Sequence, residues 1–201
     1  LTIILLALIA GCSPLRLQVA PNMRGQNWSM QGGDIGRTNV ARETLTPPLA
    51  VAWKYEAAAG FGSAPAVTAE SVAIIGTMKG EVEAVRLSTG KGVGGRDFGS
   101  AVAGTPSLDN GMIYVPLSHD EESLICYDLQ SALPHWRARV GGIETSPLLL
   151  GGKIYITTLE GKLQCVDRSD GTLLWSYELP RKLRTAVIRS SPAAVATAVM
   201  T

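Results

Sequence analysis

Hydrophobic residues in this chain fall into short runs, each closed by glycine or by an Asn-Gly, Glu-Gly or Asp-Gly pair. The fullest example begins after Pro147. Leu148-Leu149-Leu150 meets the turn Gly151-Gly152, and Lys153-Ile154-Tyr155-Ile156-Thr157-Thr158 meets Glu160-Gly161. Leu163-Gln164-Cys165-Val166-Asp167 then meets Asp170-Gly171, and Leu173-Leu174-Trp175 closes the unit. The stretch after Pro106 repeats this layout with Asn110-Gly111, Met112-Ile113-Tyr114-Val115, Leu124-Ile125-Cys126-Tyr127-Asp128 and Trp136. The stretch after Pro65 is in step, with Val72-Ala73-Ile74-Ile75, Gly80, Val82-Glu83-Ala84-Val85 and Thr89-Gly90-Lys91, while Trp53 closes the strand Leu49–Tyr55 before it. β-Branched and aromatic runs punctuated by tight turns predict antiparallel hairpins. Beyond the N-terminus no stretch keeps a helical period over three turns.

The units recur at nearly fixed spacing. Ser-Ala-Pro ends at Pro65, Gly-Thr-Pro at Pro106, Thr-Ser-Pro at Pro147 and Ser-Ser-Pro at Pro192, intervals of 41, 41 and 45 residues. A period of about 40 to 50 residues made of four short strands predicts an all-β fold, a β-propeller with one four-stranded antiparallel blade per repeat. About three and a half blades are present, since the repeat opened at Ser190-Ser191-Pro192 runs only to Thr201. Propellers close with about 4 to 8 blades, so the chain reads as a fragment of a longer product with an incomplete ring.

The shared core, x-x-Pro, hydrophobic strand, Gly turn, Ala/Cys-x-Asp, x-Gly and x-x-Trp, resembles the PQQ-type β-propeller repeat, of the WD40-like kind. This repeat is found in quinoprotein dehydrogenases and in the periplasmic propeller lipoprotein of the outer-membrane protein assembly (BAM) complex. Trp28-Ser29-Met30-Gln31-Gly32-Gly33-Asp34 and Arg37-Thr38-Asn39 are similar to the lead-in strand of such propellers. The resemblance covers residues 28–201, and it speaks to architecture more than to activity, because one repeat serves enzymes, scaffolds and binding proteins.

The N-terminus carries a second signal. Leu1 to Ala10 is apolar apart from Thr2 and runs into Gly11-Cys12-Ser13. Ten residues are too few to span a bilayer but fit the apolar region of a signal peptide. Ile9-Ala10-Gly11-Cys12 is similar to the bacterial lipobox, in which cleavage precedes a cysteine that is then acylated. The expected organisation is therefore a trimmed signal peptide over 1–11, a tether over 12–27 with Pro14 and Pro21, and the partial propeller over 28–201. Cys12 is the expected lipidation site, and Ser13 after it implies delivery to the outer membrane, on its periplasmic side.

Composition changes this picture little. A formal net charge of +1 offers no field for nucleic acid. Cys126 and Cys165 occupy equivalent places in successive repeats, where the first repeat has Ala84, and read as buried, inert thiols; a bridge between them requires blades that converge to bonding distance. His119, Asp120 and Glu122 lie on a short acidic tip and read as a solvated hairpin end rather than a metal site. Trp53, Trp136 and Trp175 recur once per repeat, and read as packing between blades.

Those features read as a non-catalytic scaffold without cofactor or metal, and the resemblance implies a lipid-anchored periplasmic propeller that assists assembly of outer-membrane β-barrel proteins. The resemblance implies a protein partner, the barrel-assembly machinery, and carries one contact over: a Leu-Arg pair shortly before a Ser-x-Pro strand start, here Leu183-Arg184. Two other classes stay open. A truncated PQQ-dependent quinoprotein dehydrogenase would need calcium, adjacent cysteines and a Trp floor, and no two cysteines here are adjacent. A polysaccharide- or peptide-binding propeller would use the same fold.

Overall fold

The computed structural model describes residues 13–17, 28–41, 43–62, 66–119 and 121–180. Among them the chain forms twelve strands in three antiparallel sheets and no helix. Blade 1 contains β1 (Val67–Ala69), β2 (Val72–Gly76), β3 (Glu81–Arg86) and β4 (Gly92–Asp97). Blade 2 contains β5 (Ser107–Asp109), β6 (Met112–Pro116), β7 (Leu124–Asp128) and β8 (Leu133–Ala138). Blade 3 contains β9 (Leu148–Leu150), β10 (Lys153–Thr157), β11 (Lys162–Asp167) and β12 (Leu173–Glu178). Each sheet is a simple meander in which chain neighbours are also sheet neighbours, the arrangement short turns enforce. This is the propeller architecture expected from the repeat, with the sheets not closed into a ring.

The register is conserved down to its irregularities. The third and fourth strands of every blade slip by one residue at the same place, between Ala84 and Val85, between Cys126 and Tyr127, and between Cys165 and Val166. The extra residues on the fourth strands are Val93, His135 and Leu174. A bulge of this kind sharpens the local twist, so the three outer strands turn alike.

Stacking buries both faces of the middle strands. One core lies between blades 1 and 2, built from Ile74, Val82, Ala84, Val102, Ile113, Ile125 and Tyr127 among others. A second lies between blades 2 and 3, with Tyr114, Leu124, Cys126, Trp136, Ile143, Ile154 and Val166. Phe98 meets Tyr127 edge-on at 5.6 Å within the first core.

Two segments depart from the sequence-based expectation. Residues 49–55 form no strand, and Leu49 and Val51 are exposed. Residues 28–39 do not form a lead-in strand either. They cross the inner edges of all three blades: the Thr68 N–H donates to the Trp28 carbonyl (2.9 Å), the Leu108 N–H to the Ser29 carbonyl (2.7 Å), and Arg37 Nη2 to the Ser146 carbonyl (2.9 Å). Innermost strands otherwise left with open N–H and C=O groups are thereby capped.

Candidate functional site

The sites singled out by sequence, Cys12 for the lipid and Leu183 with Arg184 for the partner, lie outside the described residues. Inside them, the chemistry that recurs is a tryptophan ring and the glycine turn that receives it, found on blades 1 and 3.

The second junction shows the socket in full. Tyr114 on β6, Cys126 on β7 and Trp136 on β8 stand side by side across the sheet. The Trp136 ring leans on Tyr114 with centroids 6.0 Å apart and reaches the turn between β11 and β12. There its indole N–H donates to the Arg168 carbonyl at 3.0 Å, and the ring covers Gly171, where a Cβ would stand 2.6 Å from it. Trp53 meets blade 1 in the same way, donating to the Leu87 carbonyl at 2.5 Å over Gly90. Counted from the end of the third strand at Arg86 and Asp167, Leu87 matches Arg168 and Gly90 matches Gly171. Both glycines have positive φ, 68° and 79°, which suits a residue without Cβ. Sequence reasoning found the tryptophans but missed the glycines, whose signal is their fixed place four residues past the third strand.

Trp175 has the same place on β12, opposite Cys165 and tilted over Tyr155 at 6.1 Å. Its face is open. Leu173, Trp175 and Tyr177, which match Pro134, Trp136 and Ala138 of blade 2, are 43, 42 and 53% exposed.

The thiols of Cys126 and Cys165 are free and buried. Burial, partly offset by a hydrogen bond with Tyr114, pushes the Cys126 thiol up to about 12, and Tyr114 is itself raised by burial. Cys165 is raised for the same reason, with Tyr155 again opposing. These are packing groups rather than nucleophiles, since a reactive cysteine needs a lowered pKa and access.

At the inner edge Arg37 is a half-buried cation held by two backbone carbonyls and, at 3.3 Å, by Gln31 Oε1. Nη1 donates to the Gln31 carbonyl (3.0 Å) and Nη2 to that of Ser146, while Nε is buried without a partner. Desolvation lowers its pKa to about 10, so it stays protonated. On the acidic tip, Glu121 and Glu122 reach back to Arg139 (3.5 Å) and Arg137 (3.8 Å) on and beside β8. Across the described residues no three His, Cys, Asp or Glu side chains gather as metal ligands. Two clefts flank the segment Ser13–Leu17. One, of about 380 Å³, is lined by Arg16, Glu70, Ser71, Arg86 and Val93; the other, of about 470 Å³, by Ser13, Tyr55, Glu81, Glu83 and Arg96.

Residues 78–201 match the sequence family described as outer membrane protein assembly factor BamB. No curated protein matches the chain. Among solved structures, BamB from Moraxella catarrhalis superimposes with a TM-score of 0.54 at 19% identity, covering 63% of this chain and 38% of that one. Quinohemoprotein alcohol dehydrogenase from Comamonas testosteroni gives 0.62 at 20% identity, over 81% of this chain and 28% of that one. A second quinohemoprotein alcohol dehydrogenase, from Pseudomonas putida HK5, gives 0.63 at 16% identity, over 82 and 29%. The chain thus spans well under half the length of each, and at these identities the likeness is one of fold.

Proposed function

Since the chain belongs to the family of outer membrane protein assembly factor BamB, we propose that it is part of a non-catalytic scaffold, a lipid-anchored propeller on the periplasmic side of the outer membrane that assists assembly of β-barrel proteins. The observation that carries this reading is the family match over residues 78–201, laid on blades whose distinctive side chains are spent on packing. Trp136 is 9% exposed, packed in the core between blades 2 and 3, and has its N–H engaged. A stack of rigid sheets presents its connecting loops as a fixed array, which suits a protein-binding rim. In this reading Cys12 carries the acyl chains and Leu183 with Arg184 contacts the barrel-assembly subunit.

The test is capture of the full-length protein from detergent-solubilised envelopes. Co-purification of the barrel-assembly subunit in near-stoichiometric amount is expected. Absence of that subunit, together with saturable binding of PQQ in calorimetry, would overturn the scaffold in favour of an oxidoreductase.

A further inference from the structure

Blade 1 lacks the tryptophan of its neighbours. Where blade 2 sets Tyr114, Cys126 and Trp136 in a row and blade 3 sets Tyr155, Cys165 and Trp175, blade 1 has Ile74, Ala84 and Gly94. Each position is smaller, and the last has no side chain. The receiving turn on blade 2 differs to match: counted from Asp128, the residue at the Gly90 and Gly171 place is Ala132, and the carbonyl at the Leu87 and Arg168 place belongs to Leu129.

The vacancy is filled from the N-terminus. Leu15 is fully buried and Leu17 nearly so, both within the core between blades 1 and 2, with Ala132 packed against it. A Cβ on Gly94 would collide with the Pro14 carbonyl and meet the Leu15 Cα at 3.4 Å. The Leu17 N–H donates to the Leu129 carbonyl at 2.8 Å, the bond an indole N–H makes at the other two junctions. Ser13 is tied to the outer edge of β4, its carbonyl accepting from the Gly95 N–H at 3.1 Å, and Arg16 Nε donates to the Gln130 carbonyl at 2.9 Å.

We propose that Ser13–Leu17 substitutes for the tryptophan missing from blade 1, and that by docking there it holds Ser13, the residue after Cys12 in the chain, at the outer edge of β4, making that edge the face of the propeller that meets the lipid bilayer. The first half rests on packing alone, and the second rests on the lipid anchor proposed above. Cys12 is the next residue along the chain, and neighbouring Cα atoms are about 3.8 Å apart. An acylated Cys12 therefore has no free tether between it and the blade. The membrane must come to β4.

Limited trypsin digestion of the native full-length protein tests the docking, with cleavage after Arg16 followed by mass spectrometry. Cleavage tracks the population of the opened segment. The wild type should be cut slowly after Arg16. Leu15→Ala should be cut at least about tenfold faster, and Gly94→Trp with Ala132→Gly, which rebuilds the ring and its socket, should expel the segment and be cut as fast while melting within a few degrees of wild type. Should the double variant not fold, Leu15→Ala decides alone. Equal rates in wild type and Leu15→Ala would overturn the substitution.

The membrane face is tested separately, with the acylated protein in vesicles of phosphatidylethanolamine and phosphatidylglycerol carrying a headgroup acceptor dye. A donor dye on Asp97→Cys, at the end of β4, should transfer more strongly than one on Asp170→Cys in blade 3. Equal transfer would overturn the membrane face and leave the docking standing. A chain that takes up no labelled palmitate would instead remove the anchor.

Discussion

Trp136 and Gly171 form a lock between blades 2 and 3: the indole ring lies where a Gly171 side chain would be, with its nearest carbon 2.6 Å from that Cβ position. Gly171→Ala therefore combines a left-handed φ with a collision, and should cost about 2 to 4 kcal/mol, of which backbone strain supplies about 1 to 2. Gly111, with φ of 78° and open space around it, isolates the strain, so Gly111→Ala should cost only about 1 to 2 kcal/mol. Urea unfolding of the two variants measures the difference. Equal losses would mean that the ring does not press on the turn.

Trp136 itself can be dissected. Trp136→Ala removes a buried ring and should cost about 3 to 5 kcal/mol. Trp136→Phe keeps most of the ring and loses the bond to the Arg168 carbonyl, a smaller cost of about 1 kcal/mol plus the lost volume. The order Ala well below Phe, read from denaturation midpoints, is the expected result.

Alkaline pH should weaken the fold through Cys126. Burial raises its thiol pKa from 9.0 to about 12 in the folded chain, so the folded state holds its proton more tightly. The stabilisation is complete below pH 9 and is lost as pH rises from about 9 towards 12. Melting temperature should be flat to about pH 9 and then fall. Cys126→Ala, the residue blade 1 carries at Ala84, should flatten that fall. For the same reason Cys126 should resist thiol reagents until the protein is unfolded.

If Leu183 and Arg184 contact a partner, replacing both by Ala should leave the unfolding free energy within about 0.5 kcal/mol of wild type while reducing capture of the barrel-assembly subunit. Undiminished capture would move the contact elsewhere on the protein.

The blades were legible because each records itself several times: in x-x-Pro, in the glycine turns and in the Tyr and Trp pairs. Ala84, Cys126 and Cys165 gave the register, since a small residue is demanded wherever two sheets press together. The junction chemistry was harder to read. Gly171 and Gly90 looked like ordinary turn residues, because the ring above each comes from 35 to 37 positions earlier in the chain. Residues 13–17 read as part of a tether because two leucines among polar residues form no periodic pattern, and the cavity that receives them is defined by the absence of a side chain at Gly94. Residues 28–39 read as a strand in the sequence, yet their bonds go to β1, to β5 and to Ser146 just before β9 in turn.

The docked N-terminal segment also fixes an order of events in folding. Strands within a blade close over short loops, whereas Arg16 finds the Gln130 carbonyl 114 residues away. Closing so long a loop carries a larger entropy loss, about 0.6 kcal/mol for each doubling of length, and the receiving pocket does not exist until β4 and the β7–β8 turn are in place. The first residues of the described chain are thus among the last to settle. A refolding protein should bury Trp136 before it protects Arg16 from trypsin, and during that interval Leu15 and Leu17 are bare apolar side chains.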